Sequence, residues 1–333
     1  MIKDLPYKSK LTLLGIVLVI LAIGTAMLGR YPITFEEFMA VLSGSDKSSQ
    51  VYTLLIQIRL PRVLLVVLCG GALALSGTVY QSIFRNPLVS PDVLGVSSGC
   101  GVGAVIAILL MPKSPVSLQL YAFAAGIIAV LLALYMAKLV PGNKLLGLVI
   151  AGIVINSIAS AITMFLKYVA DPYKQLPTIE FWMMGGFYNA SWEQITSILP
   201  TLILATVVLF MMRWQMKVMT LGEEEALTLG VAPHKIRLLS ILCATCLVAA
   251  VVSVAGLVSW IGLVAPHIVK LSIGDRLEWE MPMAIIVGGI LLLVADTISR
   301  CAFTTELPIS ILTTVVGAPF LAYLLCRRGR VKG

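Results

Sequence analysis

The chain has 333 residues, 59% of them hydrophobic and 12% charged, with a mean hydropathy of +1.01. Soluble domains carry about 45–50% apolar and about 25% charged residues, so a soluble enzyme, a disordered chain and a disulfide-stapled secreted domain are excluded. The 24 Lys and Arg against 16 Asp and Glu leave a net charge of +8. With no basic stripe interleaved with aromatics, that charge reads as the cationic loops of a polytopic membrane protein, and no nucleic-acid partner is expected.

At the N-terminus, Lys3, Lys8 and Lys10 precede 19 uncharged residues, Leu11 to Gly29. A signal-peptide core is about 7–15 residues and is followed by a small-residue cleavage site; this run is longer and lacks one, so it is expected to remain as a first span. Further apolar runs at 63–84, 93–112, 114–137, 145–166, 194–212, 281–300 and 307–326 each approach the about 20 residues that a helical span needs. The run 238–269 has 32 uncharged residues; as one helix it would be about 48 Å long against a hydrocarbon core of about 30 Å. Gly256, Gly262 and Pro266 predict a break near 256–262 and hence two spans. The total is ten, with both termini on one side. Placing that side in the cytoplasm puts 16 of the 24 Lys and Arg inside, whereas nine spans erase the asymmetry. The expectation is an all-α membrane protein, one polytopic domain over 1–333.

Four cations before the second span, Arg30, Lys47, Arg59 and Arg62, fall outside, against the sorting rule. Arg59-Leu60-Pro61-Arg62 is therefore a dense external positive spot that needs a reason. In segment 81–95, Pro87 and Pro91 interrupt the helix, and Ser90 or Asp92 is placed to cap the next one. Gly95, Gly99, Gly101 and Gly103 then allow either close helix packing or the wall of a gate or cavity. The aromatics of 181–187 and Trp192 suit an interfacial helix on the outer face. Ser76-Gly77 and Ala255-Gly256 each precede a proline by the same spacing (Pro87 and Pro266), a weak echo of inverted repeats.

The longest cytoplasmic loop, 217–237, carries Gly222-Glu223-Glu224-Glu225-Ala226-Leu227-Thr228-Leu229-Gly230. Thr220 or Gly222 starts a short helix there, three glutamates sit at its positive end, and Gly230 suits a left-handed stop. Leu221, Ala226, Leu227 and Leu229 give it an apolar side, as a docking helix would have. Asp296 and Arg300 stand i,i+4 on one helix face and are expected to pair in the membrane. The six cysteines lie in or at the ends of apolar runs and read as small apolar side chains; Cys243-x-x-Cys246 lacks a thioredoxin-like context. No phosphate-loop pattern occurs, and the two histidines, His234 and His267, make a His-built metal site improbable. No cofactor is expected, and a transported metal would arrive already chelated.

Arg59-Leu60-Pro61-Arg62, Gly70-Gly71-Ala72-Leu73, Arg85-Asn86-Pro87-Leu88, Leu94-Gly95-Val96-Ser97-Ser98-Gly99, Gly222-Glu223-Glu224-Glu225-Ala226, Gly262-Leu263-Val264-Ala265-Pro266-His267, Glu306-Leu307-Pro308 and Gly317-Ala318-Pro319-Phe320 resemble, in order, the FecCD family. These are membrane permeases of bacterial type II ABC importers for iron-siderophores, haem and vitamin B12. The resemblance implies ten-helix subunits with inverted repeats paired as a homodimer in the cytoplasmic membrane of a bacterium or archaeon. It also implies two ATP-binding subunits below, an extracytoplasmic substrate-binding protein above, and a chelated metal as cargo, ferric siderophore first. By the same resemblance Arg59, Arg62 and Arg300 receive the binding protein's carboxylates. Asn86, Leu88 and Asn143 gate the cytoplasmic exit, and Gly222, Glu223, Ala226, Leu229 and Gly230 belong to the helix seated on the ATPase. In that loop the glycine after Glu225-Ala226 comes one residue earlier than in other ABC importers. An ion-coupled transporter would need more embedded carboxylates than Asp296, and a membrane enzyme would need a nucleophile–base pair or metal site that the sequence lacks.

Overall fold

The computed structural model describes residues 6–29, 31–44, 50–111, 115–142, 144–274, 276–302 and 305–330. Every regular element among them is helical. α1 (Tyr7–Met27) packs along α14 and leaves much of its apolar surface outward. Its one buried cation, Lys10, donates to the Ser272 carbonyl at 3.3 Å. α2 (Phe35–Leu42), between the first two expected spans, starts with a capping box: Thr34 Oγ1 accepts from the Glu37 N–H while the Glu37 carboxylate accepts from the Thr34 N–H.

α3 (Gln50–Tyr52) runs through a π-helical turn, Thr53–Arg59, into α4 (Leu60–Ile83). The result is one 34-residue rod from Gln50 to Ile83, beginning well before the expected start at 63. Pro61 has no N–H to offer the turn before it and crowds that turn's carbonyls, and the widened turn absorbs the mismatch. α4 is the hub. From Pro61 on it is almost wholly buried, packed against α12, α13 and α14. Backbones meet directly on two sides. A Cβ on Gly70 would strike the Gly288 carbonyl, and one on Gly77 would strike the Gly262 carbonyl, the close approach that small residues permit between membrane helices. Three polar side chains of α4 find partners on neighbouring helices: Ser76 Oγ donates to the Ala244 carbonyl (3.0 Å), Gln81 Nε2 to the Leu263 carbonyl (3.3 Å), and Tyr80 and Thr245 share a hydroxyl hydrogen bond of 3.1 Å.

A 3-10 turn, Pro91–Leu94, and Gly95 in the left-handed region (φ 84°) lead into α5 (Val96–Leu110). Neither Ser90 nor Asp92 caps a helix with its side chain; Asp92 instead accepts from the Ser97 hydroxyl. Gly99 and Gly103 of α5 lie against the backbone and alanines of α6 (Pro115–Leu139), while Gly101 faces open space. Packing thus accounts for two of the α5 glycines. Pro141-Gly142 turns the chain into α7 (Lys144–Val169), and α8 (Gln175–Met183) is the short helix expected in 167–193. Ser191 caps α9 (Trp192–Met211), which is followed by α10 (Arg213–Met219), α11 (Glu223–Thr228) and α12 (Pro233–Ala255).

The predicted break falls at 256–260. Gly256 (φ 67°) ends α12, and α13 (Ile261–Ile273) is only 13 residues, about 20 Å. Irregular backbone at this depth is tolerated only when protein covers it, and here it is. Gly186 N–H donates to the Ala255 carbonyl (2.8 Å), Ser310 Oγ to the Leu257 carbonyl (2.5 Å) and Ile309 N–H to the Gly185 carbonyl (3.1 Å). α14 (Leu277–Cys301) and α15 (Ile309–Arg330) complete the chain.

Among the described residues, seven helices are long and apolar enough to cross a membrane, and α5, α13 and Ile309–Ala322 are shorter apolar helices. The sequence echo does not correspond to a shared geometry: Gly77 sits mid-helix in α4, whereas Gly256 terminates α12. The cysteines are all free. Cys69 and Cys100 are buried, Cys243 and Cys246 half-buried, and Cys301 and Cys326 exposed, so the apolar-filler reading does not extend to the last two.

Candidate functional site

Two groups of charges stand where helices end. The first gathers Arg59 at the π-turn, Arg62 in the first turn of α4, Asp296 and Arg300 in the last turns of α14, and Glu306 before α15. Arg62 approaches Asp296 side-on: Nη2 lies 2.8 Å from Oδ1, and Nε lies 3.1 Å from each carboxylate oxygen. The other edge of the same guanidinium takes Glu306, with Nη1–Oε1 at 3.1 Å and Nη2–Oε2 at 2.9 Å. Two bidentate pairs on one guanidinium use its planar fork fully. Asp296 is 0% exposed, while the Glu306 side chain is 31% exposed.

The expected Asp296–Arg300 pair is present but secondary. Arg300 Nε is 3.5 Å from Asp296 Oδ2, an ion pair without hydrogen-bond geometry. Its Nη2 and Nη1 donate to the Thr25 and Leu28 carbonyls at 2.6 and 3.3 Å. Arg59 donates to the Ala26, Met27 and Tyr31 carbonyls. Two arginines therefore satisfy the carbonyls left open where α1 ends. Arg59, Arg62 and Arg300 are brought together, yet all three are buried, where the sequence suggests an exposed basic spot. The residue missed as a partner is Glu306. It lies ten positions beyond Asp296, in a non-helical stretch, so no helical spacing relates the two.

The second group lies at the connection of α10, α11 and α12. Gly222 precedes α11 with extended backbone, and its missing side chain leaves room for the Glu225 carboxylate. Ala226 is fully buried, its N–H bonded to the Gly222 carbonyl and its carbonyl accepting from Val231 N–H. Gly230 takes the left-handed stop (φ 77°). Leu221, Leu227 and Leu229 are exposed, forming an apolar surface on a charged segment. Glu223 pairs with Arg237 of α12. Hydrogen bonding to Arg237, opposed by some desolvation and reinforced by the charges of Arg237, Lys144 and Arg85, holds the Glu223 carboxyl below the usual carboxylate range. Lys217 and Glu278 tie α10 to the start of α14 at 2.9 Å.

Close by is the turn between α4 and α5. Arg85 takes a left-handed conformation (φ 48°), and Asn86 Oδ1 accepts from the Leu88 N–H at 3.0 Å, fixing a tight Asx turn that leaves Leu88 exposed. Asn143 lies outside the described residues. Across α5 and α7, Ser98 Oγ meets Asn156 Oδ1 at 2.6 Å, and Asn156 Nδ2 donates to the Asp92 carbonyl at 3.3 Å. Sequence reading passed over Asn156, a lone polar residue in an apolar run. Among the described residues no group of three or more His, Cys, Asp and Glu is placed to hold a metal ion.

The model of the FecCD transport family matches residues 14–327. The chain belongs to the FecCD transport family. Relatives include an iron chelatin transport system permease protein of Helicobacter pylori, 34% identical over 316 residues, covering 93% of this chain and 95% of the relative. The hemin transport system permease protein HmuU of Yersinia pestis is 37% identical over 320 residues, covering 94% of each chain. A solved inward-facing ABC transporter of metal-chelate type superposes with a TM-score of 0.87 at 32% identity, over 96% of this chain and 99% of that one. The FecCD match, the structural likeness and the apolar helices make this an integral membrane transport protein with an ABC permease fold.

Proposed function

We propose that the chain is the permease subunit of an ABC importer that moves a chelated metal compound inward, a ferric siderophore first among the candidates. The observation that carries this reading is α11: a short helix between left-handed and extended glycines, with exposed leucines beside a clasped acidic start. It is a seat for a separate ATPase, and the sequence has no phosphate-loop pattern of its own. Gly222, Glu223, Ala226, Leu229 and Gly230 form that seat. Asn86 and Leu88, with Asn143, form the exit gate, and the shared field of Arg85, Lys144 and Arg237 on Glu223 gives a physical link from seat to gate.

In this reading the whole chain is one ten-span unit with cytoplasmic termini. It pairs with a second copy, sits on two ATPase subunits and receives cargo from a substrate-binding protein. The docking role of Arg59, Arg62 and Arg300 narrows to Arg62. Arg59 and Arg300 are committed to carbonyls of α1, whereas Arg62 also holds the partly exposed Glu306, for which a carboxylate of the binding protein can substitute. Haem, cobalamin or an oxyanion is the alternative cargo. Proteoliposomes carrying the chain, its ATPase and its binding protein should accumulate one of ferric siderophore, haemin, cobalamin or molybdate in an ATP-dependent manner. Accumulation driven by an ion gradient without the ATPase would overturn the reading.

A further inference from the structure

Between the end of α6, the start of α7 and the first turns of α12 lies a cavity of about 270 Å³. It is lined by Lys138, Lys144, Arg237 and His234 and by apolar side chains, including Leu134, Leu148 and Leu238. Among the described residues no carboxylate lines it. Arg237 is 6% exposed. One of its terminal nitrogens holds Glu223, but Nε is buried with no hydrogen-bond partner among the described residues. The charge of Arg237, together with those of Lys138 and Lys144, favours an anionic group entering this cavity.

Size and lining narrow the ligand. The volume is below the roughly 300–1,000 Å³ of pockets that enclose a whole small molecule. It suits a headgroup whose remainder lies outside. Beside the cavity, α6 and α7 present exposed apolar side chains, among them Leu131, Leu146 and Ile150. A lining both cationic and apolar, beside apolar helix faces, matches a phosphodiester with acyl chains better than a free anion. Basic pockets between membrane helices take anionic lipid headgroups in this way.

We propose that this cavity binds the phosphate of an anionic phospholipid, with its chains along α6 and α7. Arg237 would then face the lipid phosphate with its charge while holding the Glu223 carboxylate of α11 through Nη2. Lipid occupancy would in this way stiffen the seat of the ATPase. Assigning the lipid to the cytoplasmic leaflet rests on the sidedness proposed above; binding itself does not, and sidedness is read separately from cysteine labelling.

The test uses the full-length chain in nanodiscs of phosphatidylcholine, probed with photo-crosslinkable phosphatidylglycerol or phosphatidylcholine. The phosphatidylglycerol probe should label peptides around 134–148 and 234–238. Unlabelled phosphatidylglycerol should suppress the label, while inorganic phosphate should not. Lys138→Gln and Lys144→Gln should each lower labelling about fivefold, the effect of one basic residue near an anionic headgroup, and Lys138→Arg should retain it. Equal melting of the variants in phosphatidylcholine alone separates lost binding from lost folding; should they melt early, competition on the unmodified chain decides. Equal labelling by both probes, or suppression by inorganic phosphate, would overturn the proposal. So would Gln variants that keep the lipid label but lose co-purifying ATPase, because the cations would then serve the ATPase.

Discussion

Arg62 and Asp296 are 234 positions apart in sequence and meet at 2.8 Å in a pair with no exposed carboxylate surface. Removing one member of a buried pair strands the other charge and costs about 3–5 kcal/mol, whereas replacing both is often nearly neutral. Arg62→Ala should therefore lower the melting temperature sharply in detergent. Arg62→Leu combined with Asp296→Leu should recover most of the loss. A double variant as unstable as the single one would place the stability in the hold of Asp296 on the buried Arg300 instead.

Glu306 shares the same guanidinium but is partly exposed, so Glu306→Gln should change stability by under about 1 kcal/mol. Its effect belongs on docking. With the neutral amide, Arg62 is freer for an incoming carboxylate, and the binding protein should associate faster at low salt, with the gain vanishing as ionic strength rises. Stopped-flow association at two salt concentrations reads this directly. Slower association would show that Glu306 orients Arg62 instead of competing for it.

Leu229 is exposed at the end of α11. Leu229→Asp should abolish uptake and deplete co-purified ATPase at a normal membrane level. Undiminished uptake would remove α11 from the coupling role.

Glu223 gives that helix a pH signature. Its carboxyl titrates below the usual range when folded, so its contribution is complete above the unfolded value and lost as pH falls through the lowered one. Hydrogen exchange of residues 223–231, corrected for intrinsic rates, should stay constant from mildly alkaline to mildly acidic pH and rise only in stronger acid. Glu223→Gln should show the raised exchange at neutral pH already. Exchange that climbs near neutrality would assign the transition to another group.

Two glycine substitutions should behave oppositely. A Cβ at Gly77 meets the Gly262 carbonyl, and backbone cannot step aside, so Gly77→Ala should cost about 1–3 kcal/mol. Gly101 faces open space within α5, and Gly101→Ala should be neutral or stabilising by up to about 1 kcal/mol. Thermal melting of the two variants side by side decides, and a destabilised Gly101→Ala would reveal a partner surface, such as a second copy, covering that face.

Sidedness is accessible through two native thiols. Cys301 and Cys326 are both exposed and lie at opposite ends of the α14–α15 pair. An impermeant thiol reagent added to intact cells should label Cys301 and spare Cys326. Labelling of Cys326 from outside would exclude a cytoplasmic C-terminus.

Hydropathy made the apolar helices legible because most are long uncharged runs, with Asp296 and Arg300 near the end of 281–300 the exception, and the break at 256–260 followed from length against bilayer thickness. The α2 helix was equally legible: Thr34-x-x-Glu37 is a capping-box pattern, hidden only by the habit of reading a gap between spans as loop. Burial of Arg59 and Arg300 was not. Their partners are main-chain carbonyls at the end of α1, and a carbonyl has no letter in the sequence. The cation-lined cavity was equally out of reach, since Lys138, Lys144 and Arg237 come from three helices whose adjacency only folding supplies.

The segments that bond one another at the break, 184–186, 255–257 and the start of α15 at 309–310, are made at very different times during synthesis. When Leu257 is made, its carbonyl and that of Gly185 still lack these donors, because Ser310 follows Leu257 by 53 residues. An unsatisfied carbonyl in hydrocarbon costs several kcal/mol. The break between α12 and α13 is therefore expected to stay hydrated or covered by other protein until α15 is made. A nascent chain truncated before Ile309 would keep that wound open to quality-control proteases, so the final helix acts as the molecule's own certificate of completion.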